Sequence, residues 1–293
     1  MTALATPAAT TDTLGALTRC EVLRFVRHPV FVLATLGLIA TQGQTLLEPA
    51  PEVNNLIISP VIFVCAAGLV TAFALTQSTQ RLADTVEVAP VSMTVRTTAL
   101  CLTSVVPFSV GLITTVATLA FARTHGRFPY GAFGIVDRVG IVSGQIAVPA
   151  LGAALLGVAL GRWVRYPWNG LALFLALCAW VEFVEGLAAT YPDNFSVVFL
   201  RMFAPYTFFT NGDFDGVDTW RGSPWAFVGW QLCLCAIAVV VALLRGASQV
   251  LRRRLVVVLG AVLAMAAVMF VLSAVGGLDH PLVVRPDGST RPL

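Results

Sequence analysis

The sequence predicts an all-α polytopic membrane protein, and three observations support that fold class. Of the 293 residues, 57% are hydrophobic and only 11% are charged, and the mean hydropathy is +0.85. Soluble domains carry about 25% charged residues, so this chain lacks the polar surface that a globule of its size needs. Long apolar runs recur along the chain, and about 20 helical residues cross a hydrocarbon core of about 30 Å.

Seven apolar segments are the candidate membrane spans: 29–47, 56–77, 97–122, 138–161, 168–190, 224–244 and 255–277. The first six lie in a predicted transmembrane domain, residues 12–245, and residues 246–277 carry the extra C-terminal span. Residues 1–11 are expected to form a disordered tail and residues 278–293 a polar one. Residues 194–210 are also apolar, but Arg201 and Pro205 interrupt them, which predicts short interfacial or re-entrant helices.

Arginine counts predict the orientation. If the seven segments cross and the N-terminus is cytoplasmic, eleven arginines fall on the inner side and seven on the outer side. Cytoplasmic loops of membrane proteins carry the excess of positive charge, which favours this orientation. The tail after Gly277 is then expected outside.

The composition excludes several kinds of chemistry. All 18 cationic residues are arginine, and a P-loop requires a lysine on the nucleotide phosphates. His28, His125 and His280 lie in separate polar stretches, and the six cysteines follow no metal or disulfide spacing. The acidic run 211–218 resembles half of a calcium loop, but Gly222 stands where that loop needs a glutamate. We therefore predict no catalytic residue, cofactor or metal.

Two polar stretches on the predicted inner side are candidate contacts for a partner. Residues 12–28 form an amphipathic helix that Pro29 ends, either an interfacial anchor or a lever that receives force from a cytoplasmic protein. The loop 78–96 is predicted to hold a short helix, capped by Ser78 or Thr79 and stopped by Pro90. This helix is either a simple connection or an element that docks into a groove on a soluble partner.

These stretches resemble the start of type 2 ATP-binding-cassette (ABC) exporter permeases. The resemblance is carried by two patterns, Glu21-x-x-Arg24-x-x-Arg27-His28-Pro29 and Asp84-Thr85-x-Glu87-x-x-Pro90-Val91-Ser92 followed by Arg96. It covers the first six segments, roughly residues 12–245. It implies a six-span exporter-like core, a coupling helix after the second span, and outer re-entrant helices between spans five and six. The segment after Arg254 departs from it, since a six-span member ends inside.

The resemblance also implies function, location and partners. The chain would be the non-enzymatic permease subunit of an exporter in a bacterial inner (cytoplasmic) membrane, with no nucleic acid among its partners. Its partners would be a cytoplasmic ABC ATPase subunit, a second permease subunit in a homo- or heterodimer, and the lipid bilayer. It implies these coupling residues: Arg81, Asp84, Thr85, Glu87 and Pro90, with Glu21, Arg24 and Arg27 as a second contact.

Glu182 and Glu185 are carboxylates inside the fifth segment, spaced to share one helix face. A charge at the bilayer centre costs about 3 kcal/mol. One reading makes the pair a lining of the translocation path or a cation site, and the other a solvated pair near the interface. Two further functions stay open: a membrane-embedded enzyme using this pair with His125 or His280, and a non-catalytic assembly or immunity protein.

Small residues in the fourth segment recur at four-residue spacing: Gly140, Gly144 and Gly152, and Gly157 with Gly161. Glycines at this spacing let two membrane helices approach closely. We predict that they pack against other helices of the same chain, with a homodimer seam as the alternative.

Overall fold

A computed structural model describes residues 7–47, 53–85, 91–125, 134–164, 169–190, 200, 202–203, 217–219, 223–275, 282–284 and 290–292. Its helices are α1 (Pro7–Val26), α2 (Pro29–Leu47), α3 (Val53–Pro60), α4 (Ala66–Thr85), α5 (Met93–Leu102), α6 (Val105–His125), α7 (Ile135–Gln145), α8 (Ala147–Trp163), α9 (Asn169–Thr190), α10 (Pro224–Leu244) and α11 (Gln249–Val275). The π-helical turn Val61–Cys65 joins α3 to α4. Three short strands complete the described elements: β1 (Val217–Thr219), β2 (Leu282–Val284) and β3 (Thr290–Pro292).

The helical membrane class is confirmed, because six helical stretches of the described chain are long and apolar enough to cross a bilayer. They are Pro29–Leu47, Leu56–Arg81, Met93–Phe121, Ile135–Trp163, Pro224–Leu244 and Gln249–Val275. The predicted fifth segment is helical as well: it is α9, which contains the shorter apolar stretch Phe174–Val184.

Two predicted boundaries move. Helix α1 begins at Pro7, inside the stretch assigned to a disordered tail; proline suits the first turn of a helix, and alanines follow it. Helix α11 begins at Gln249 and so includes the three arginines that were placed before the last span. The backbone N–H of Leu251 lies 3.4 Å from Ser248 Oγ, which accepts its hydrogen bond and caps this start.

Prolines explain why three of the spans are interrupted. Each proline lacks the N–H that would bond the carbonyl four residues earlier. Pro60 frees the carbonyl of Leu56, which accepts a bond of 3.0 Å from Gln42 Nε2 of α2. Pro107 follows the break between α5 and α6, and Pro149 follows the break between α7 and α8. Gln42, a polar residue within the first apolar segment, thus donates a hydrogen bond to the free Leu56 carbonyl of the second segment.

Helix α8 lies at the centre of the bundle. It packs against α4 on one side and α10 on another, with α6 as a further neighbour. In the apolar core of each stretch, 67% of the residues are buried for Ile135–Trp163, against 17% for Pro29–Leu47 and 6% for Gln249–Val275. Helices α2 and α11 therefore lie at the periphery and expose most of their apolar surface.

The three strands form one antiparallel sheet in the order β1-β2-β3. Val217 pairs with Val284 and Thr219 with Leu282, so the chain before α10 is joined to the chain after α11. Both points must lie at the same end of the bundle, as they do when α10 and α11 form an antiparallel pair. The sheet thus favours two crossings after residue 223 and places β2 and β3 of the C-terminal tail beside β1.

A cross-link tests this arrangement. The pair Asp218→Cys and Val283→Cys, in a chain without its native cysteines, is expected to form a disulfide on mild oxidation because the two Cα atoms are register partners. Asp218→Cys with Arg291→Cys is the control: these residues lie on β1 and β3, two strand spacings apart, about 9–10 Å. A gel shift reports the link. Equal linking of both pairs, or labelling of 218 and 283 from opposite sides of the membrane, would contradict the sheet.

Candidate functional site

Several helix ends meet at one end of the bundle, which we call the arginine-rich end. It comprises the C-terminal ends of α1, α4, α8 and α10 and the N-terminal ends of α5 and α11. Ten arginines of the described residues belong to these ends or lie next to them: Arg19, Arg24, Arg27, Arg81, Arg96, Arg162, Arg245, Arg252, Arg253 and Arg254. The strands β1, β2 and β3 lie at the opposite end.

The two stretches predicted to receive a partner touch each other there. Arg24 Nη1 donates to both carboxylate oxygens of Glu21, at 2.9 Å each. Arg24 Nη2 donates to Ser78 Oγ of α4 at 3.0 Å. Phe25 is fully buried and anchors the end of α1. Arg24 therefore ties α1 to the second span, while Arg27 is exposed.

The first inner loop differs from its predicted form. A separate helix starting at Ser78 or Thr79 is wrong, because α4 runs without a break to Thr85. Instead of capping, Ser78 Oγ and Thr79 Oγ1 donate back to the carbonyl of Leu75, at 2.8 and 2.9 Å. Arg81 is exposed on α4.

Asp84 and Thr85 form the last turn of α4, whereas Glu87 and Pro90 lie outside the described residues. The chain resumes at Val91, and Ser92 Oγ accepts a hydrogen bond from the backbone N–H of Val95 at 3.4 Å, capping α5. The predicted coupling segment therefore joins the end of α4 to the start of α5.

Two glutamines lock the end of α4 to the end of α8. Gln77 Nε2 donates to the carbonyls of Gly161, at 3.2 Å, and Val164. Gln80 Nε2 donates to the carbonyl of Arg162 at 3.1 Å. The last carbonyls of a helix have no partner within the helix, so these amides satisfy groups that burial would otherwise leave unbonded. These bonds hold the ends of α4 and α8 together.

Arg162 continues this network to α10. Its side chain is 4% exposed, and its Nη2 donates to the carbonyl of Arg245 at 3.2 Å. Trp163 Nε1 donates to the carbonyl of Val241 at 3.0 Å, and the Arg245 guanidinium carbon lies 5.8 Å from the centre of a Trp163 ring. Thr94 of α5 reaches the carbonyl of Gly246 at 3.4 Å. Polar contacts thus connect α1, α4, α8, α10 and α5.

The predicted glycines contact other helices of this chain. Ideal Cβ atoms at Gly140, Gly144 and Gly152 would lie 3.1–3.3 Å from Trp225, Val228 and Cys235 of α10 or its first turn. Those at Gly157 and Gly161 would lie 2.4 Å from the Leu69 carbonyl oxygen and 2.7 Å from Thr76 Cβ of α4. These glycines set the close approach of α7 and α8 to their neighbours.

The predicted carboxylate pair lies away from the arginine-rich end. Glu182 is exposed on α9, and Glu185 lies on the same helix, its side chain outside the described set. Within the described residues, no group of three or more His, Cys, Asp or Glu side chains is arranged to hold a metal ion.

His28 gives this end a pH dependence. Its Nδ1 lies 3.4 Å from Thr71 Oγ1, and burial, followed by the charge of Arg24, lowers the pKa of His28 from its ordinary 6.5. Below pH 6.5 His28 becomes protonated in the unfolded chain but stays neutral in the folded chain until the pH reaches its lower folded pKa. The free energy of unfolding is therefore highest above pH 6.5 and falls as the pH drops towards the folded pKa. The melting temperature should therefore fall between pH 7 and 5, and less so in His28→Gln; identical pH profiles would refute this role.

Sequence reasoning missed Gln77, Gln80, Arg162 and Arg245. One signal was present: two glutamines spaced i,i+3 at the end of an apolar segment share a helix face and point to a polar neighbour. The neighbour itself is 84 residues further along the chain in the case of Gly161, beyond the reach of any local pattern. Comparison with known proteins gives no relative, since no family model, curated protein or solved structure matches this chain.

Proposed function

We propose that this chain is the membrane-spanning subunit of an ATP-driven ABC exporter in a bacterial cytoplasmic membrane, with a cytoplasmic N-terminus. A separate ATPase subunit supplies the energy, and a second permease subunit completes the route for a small molecule, a peptide or a lipid-like compound. The observation that supports this most is the contact of Arg24, in the first family-like pattern, with Ser78 of α4, the helix whose last turn begins the second pattern.

The network at the arginine-rich end suggests how force would travel. An ATPase that binds α1 and the 78–92 segment would move α4, because residues 78–85 belong to α4 and Arg24 of α1 is hydrogen-bonded to Ser78. Gln77 and Gln80 would carry that movement to α8, and Arg162 would carry it to α10. Because α8 packs between α4 and α10, these three helices would shift together and bias the subunit between inward-open and outward-open states.

Co-purification tests the proposal. The tagged full-length chain, expressed with an ABC ATPase encoded beside it, is expected to retain that ATPase in detergent and to raise its ATP hydrolysis. The test variant is Arg24→Gln, which removes the bonds to Glu21 and Ser78 and should weaken retention. The matched control is Arg123→Gln at the opposite end, which should not. Transport or conversion of a substrate by the purified chain alone in liposomes, without nucleotide, would refute it.

A further inference from the structure

Two guanidinium groups at the arginine-rich end have unused donors. Among the residues that the structure describes, neither Arg162 Nε nor Arg245 Nη1 has a hydrogen-bond partner, and both atoms are buried. Arg162 Nη2 bonds the backbone carbonyl of Arg245, and the two guanidinium groups are close enough for their positive charges to repel each other. No acidic side chain of the described chain pairs with either one.

Such a pair is costly unless an anion completes it. An uncompensated buried charge costs several kcal/mol, and two like charges side by side add repulsion. Arginine donors are arranged as a planar fork that matches carboxylate and phosphate oxygens. The unused donors therefore point to an oxyanion as the missing partner.

The surroundings favour a lipid phosphate as the source of that oxyanion. Trp163, against which Arg245 stacks, is 53% exposed, and tryptophan is enriched at the level of lipid headgroups. Gly246 is exposed, and a Cβ on it would lie 3.0 Å from Arg162 Nη2. Because Gly246 has no side chain, none of its atoms covers the Arg162 guanidinium on that side. Basic pockets between membrane helices at this depth bind anionic headgroups.

The next helix adds charge and lipid-facing surface. Arg252, Arg253 and Arg254 are exposed in the first turns of α11, where the helix dipole disfavours cations and no acidic residue offsets them. Only 6% of the apolar stretch of α11 is buried, so its apolar side chains face acyl chains. The positive charges at the start of α11 therefore lie at the level where lipid phosphates are available.

We propose that Arg162 and Arg245 bind the phosphate of an anionic phospholipid in the leaflet at the arginine-rich end, with Trp163 beside its glycerol region. The bound phosphate joins the ends of α8 and α10, which two hydrogen bonds from side chains of α8 to backbone carbonyls already connect. The site requires the membrane location of the bundle and does not depend on the proposed transport function.

Lipid titration of the full-length protein in a nonionic detergent tests this site. Phosphatidylglycerol is expected to raise the melting temperature saturably and to be retained in native mass spectra, whereas phosphatidylcholine, whose phosphate is offset by choline, should do neither. In Arg245→Gln, the phosphatidylglycerol concentration for half-maximal stabilisation should rise about tenfold, as expected for the loss of charge-assisted bonds. Arg162→Gln should raise this concentration by the same factor. If Arg162→Gln fails to fold because that residue is buried, the half-buried Arg245→Gln variant still provides the test.

Controls make each outcome decisive. Arg123→Gln removes an equal charge from the exposed surface of the opposite end and should leave the titration unchanged. Equal response of Arg245→Gln and the unmodified chain overturns the site, as does equal stabilisation by phosphatidylcholine. Stabilisation by inorganic phosphate at the same concentration would assign the donors to a free phosphate, and stabilisation by an oligoglutamate peptide would assign them to a protein carboxylate. Either result would overturn the lipid proposal.

Discussion

Gly157→Ala is expected to destabilise the bundle by about 3 kcal/mol, the upper end of the usual cost of overpacking. The added Cβ would lie 2.4 Å from the carbonyl oxygen of Leu69 and 3.1 Å from Ala72 Cβ. The first of these is a backbone atom, so it cannot turn aside as a side chain would. To relieve this steric clash, α4 and α8 must separate. The hydrogen bonds from Gln77 and Gln80 at the arginine-rich end oppose that separation.

Gly260→Ala provides the matched control. It adds the same methyl group to another membrane helix, α11, where nothing lies within 4 Å of the new Cβ. Alanine is the better helix former by about 1 kcal/mol, so this variant should be neutral or slightly stabilised. Thermal melting in one detergent compares the two. Similar losses in both variants would mean that α4 and α8 do not approach as described.

Glu87→Arg is expected to lower transport at least tenfold while ATP hydrolysis by the associated ATPase continues. The reason follows from the proposed function: Glu87 lies in the segment whose resemblance implies contact with the ATPase, and a like charge across an interface costs several kcal/mol. The assay measures ATP hydrolysis and substrate accumulation in the same proteoliposomes, so that a loss of coupling is separated from a loss of the complex.

A second charge reversal checks the specificity of that result. Asp279→Arg makes the same change in the polar C-terminal tail and should leave the ratio of transport to hydrolysis unchanged. If Glu87→Arg keeps full coupling in an intact complex, the assignment of this segment as the ATPase contact is wrong. If both variants uncouple equally, the effect belongs to charge in general and not to the segment.

Hydropathy predicted the helices well because the signal is local. Residues 29–47 and 224–244 are helical over the predicted range, since proline begins each one and apolar residues fill it. The prediction failed at the end of the second span, where Ser78 and Thr79 were read as helix starts. Serine and threonine can either cap the start of a helix or bond back to a carbonyl of the preceding turn, and the sequence alone does not distinguish the two. The packing of α4 against α8 decides for the second arrangement.

The candidate site was less predictable because its contacts join distant parts of the chain. The Gln77 and Arg162 bonds connect residues more than 80 positions apart, and no periodicity encodes them. The contact of Arg24 with Ser78 was likewise beyond local patterns, although both stretches had been singled out. The sheet joins Asp218 to Val283 through strands of three residues, too short to show the alternation that marks a strand.

The sheet has a consequence for the last helix. In a bilayer, water does not drive apolar helices together, because lipid chains solvate them as well as other side chains do. Helix α11 turns most of its surface outwards and packs mainly against α10. A short turn joins the pair at one end and backbone hydrogen bonds fasten it at the other. The hairpin is closed into a ring, so the two helices are held at both ends as well as along their contact.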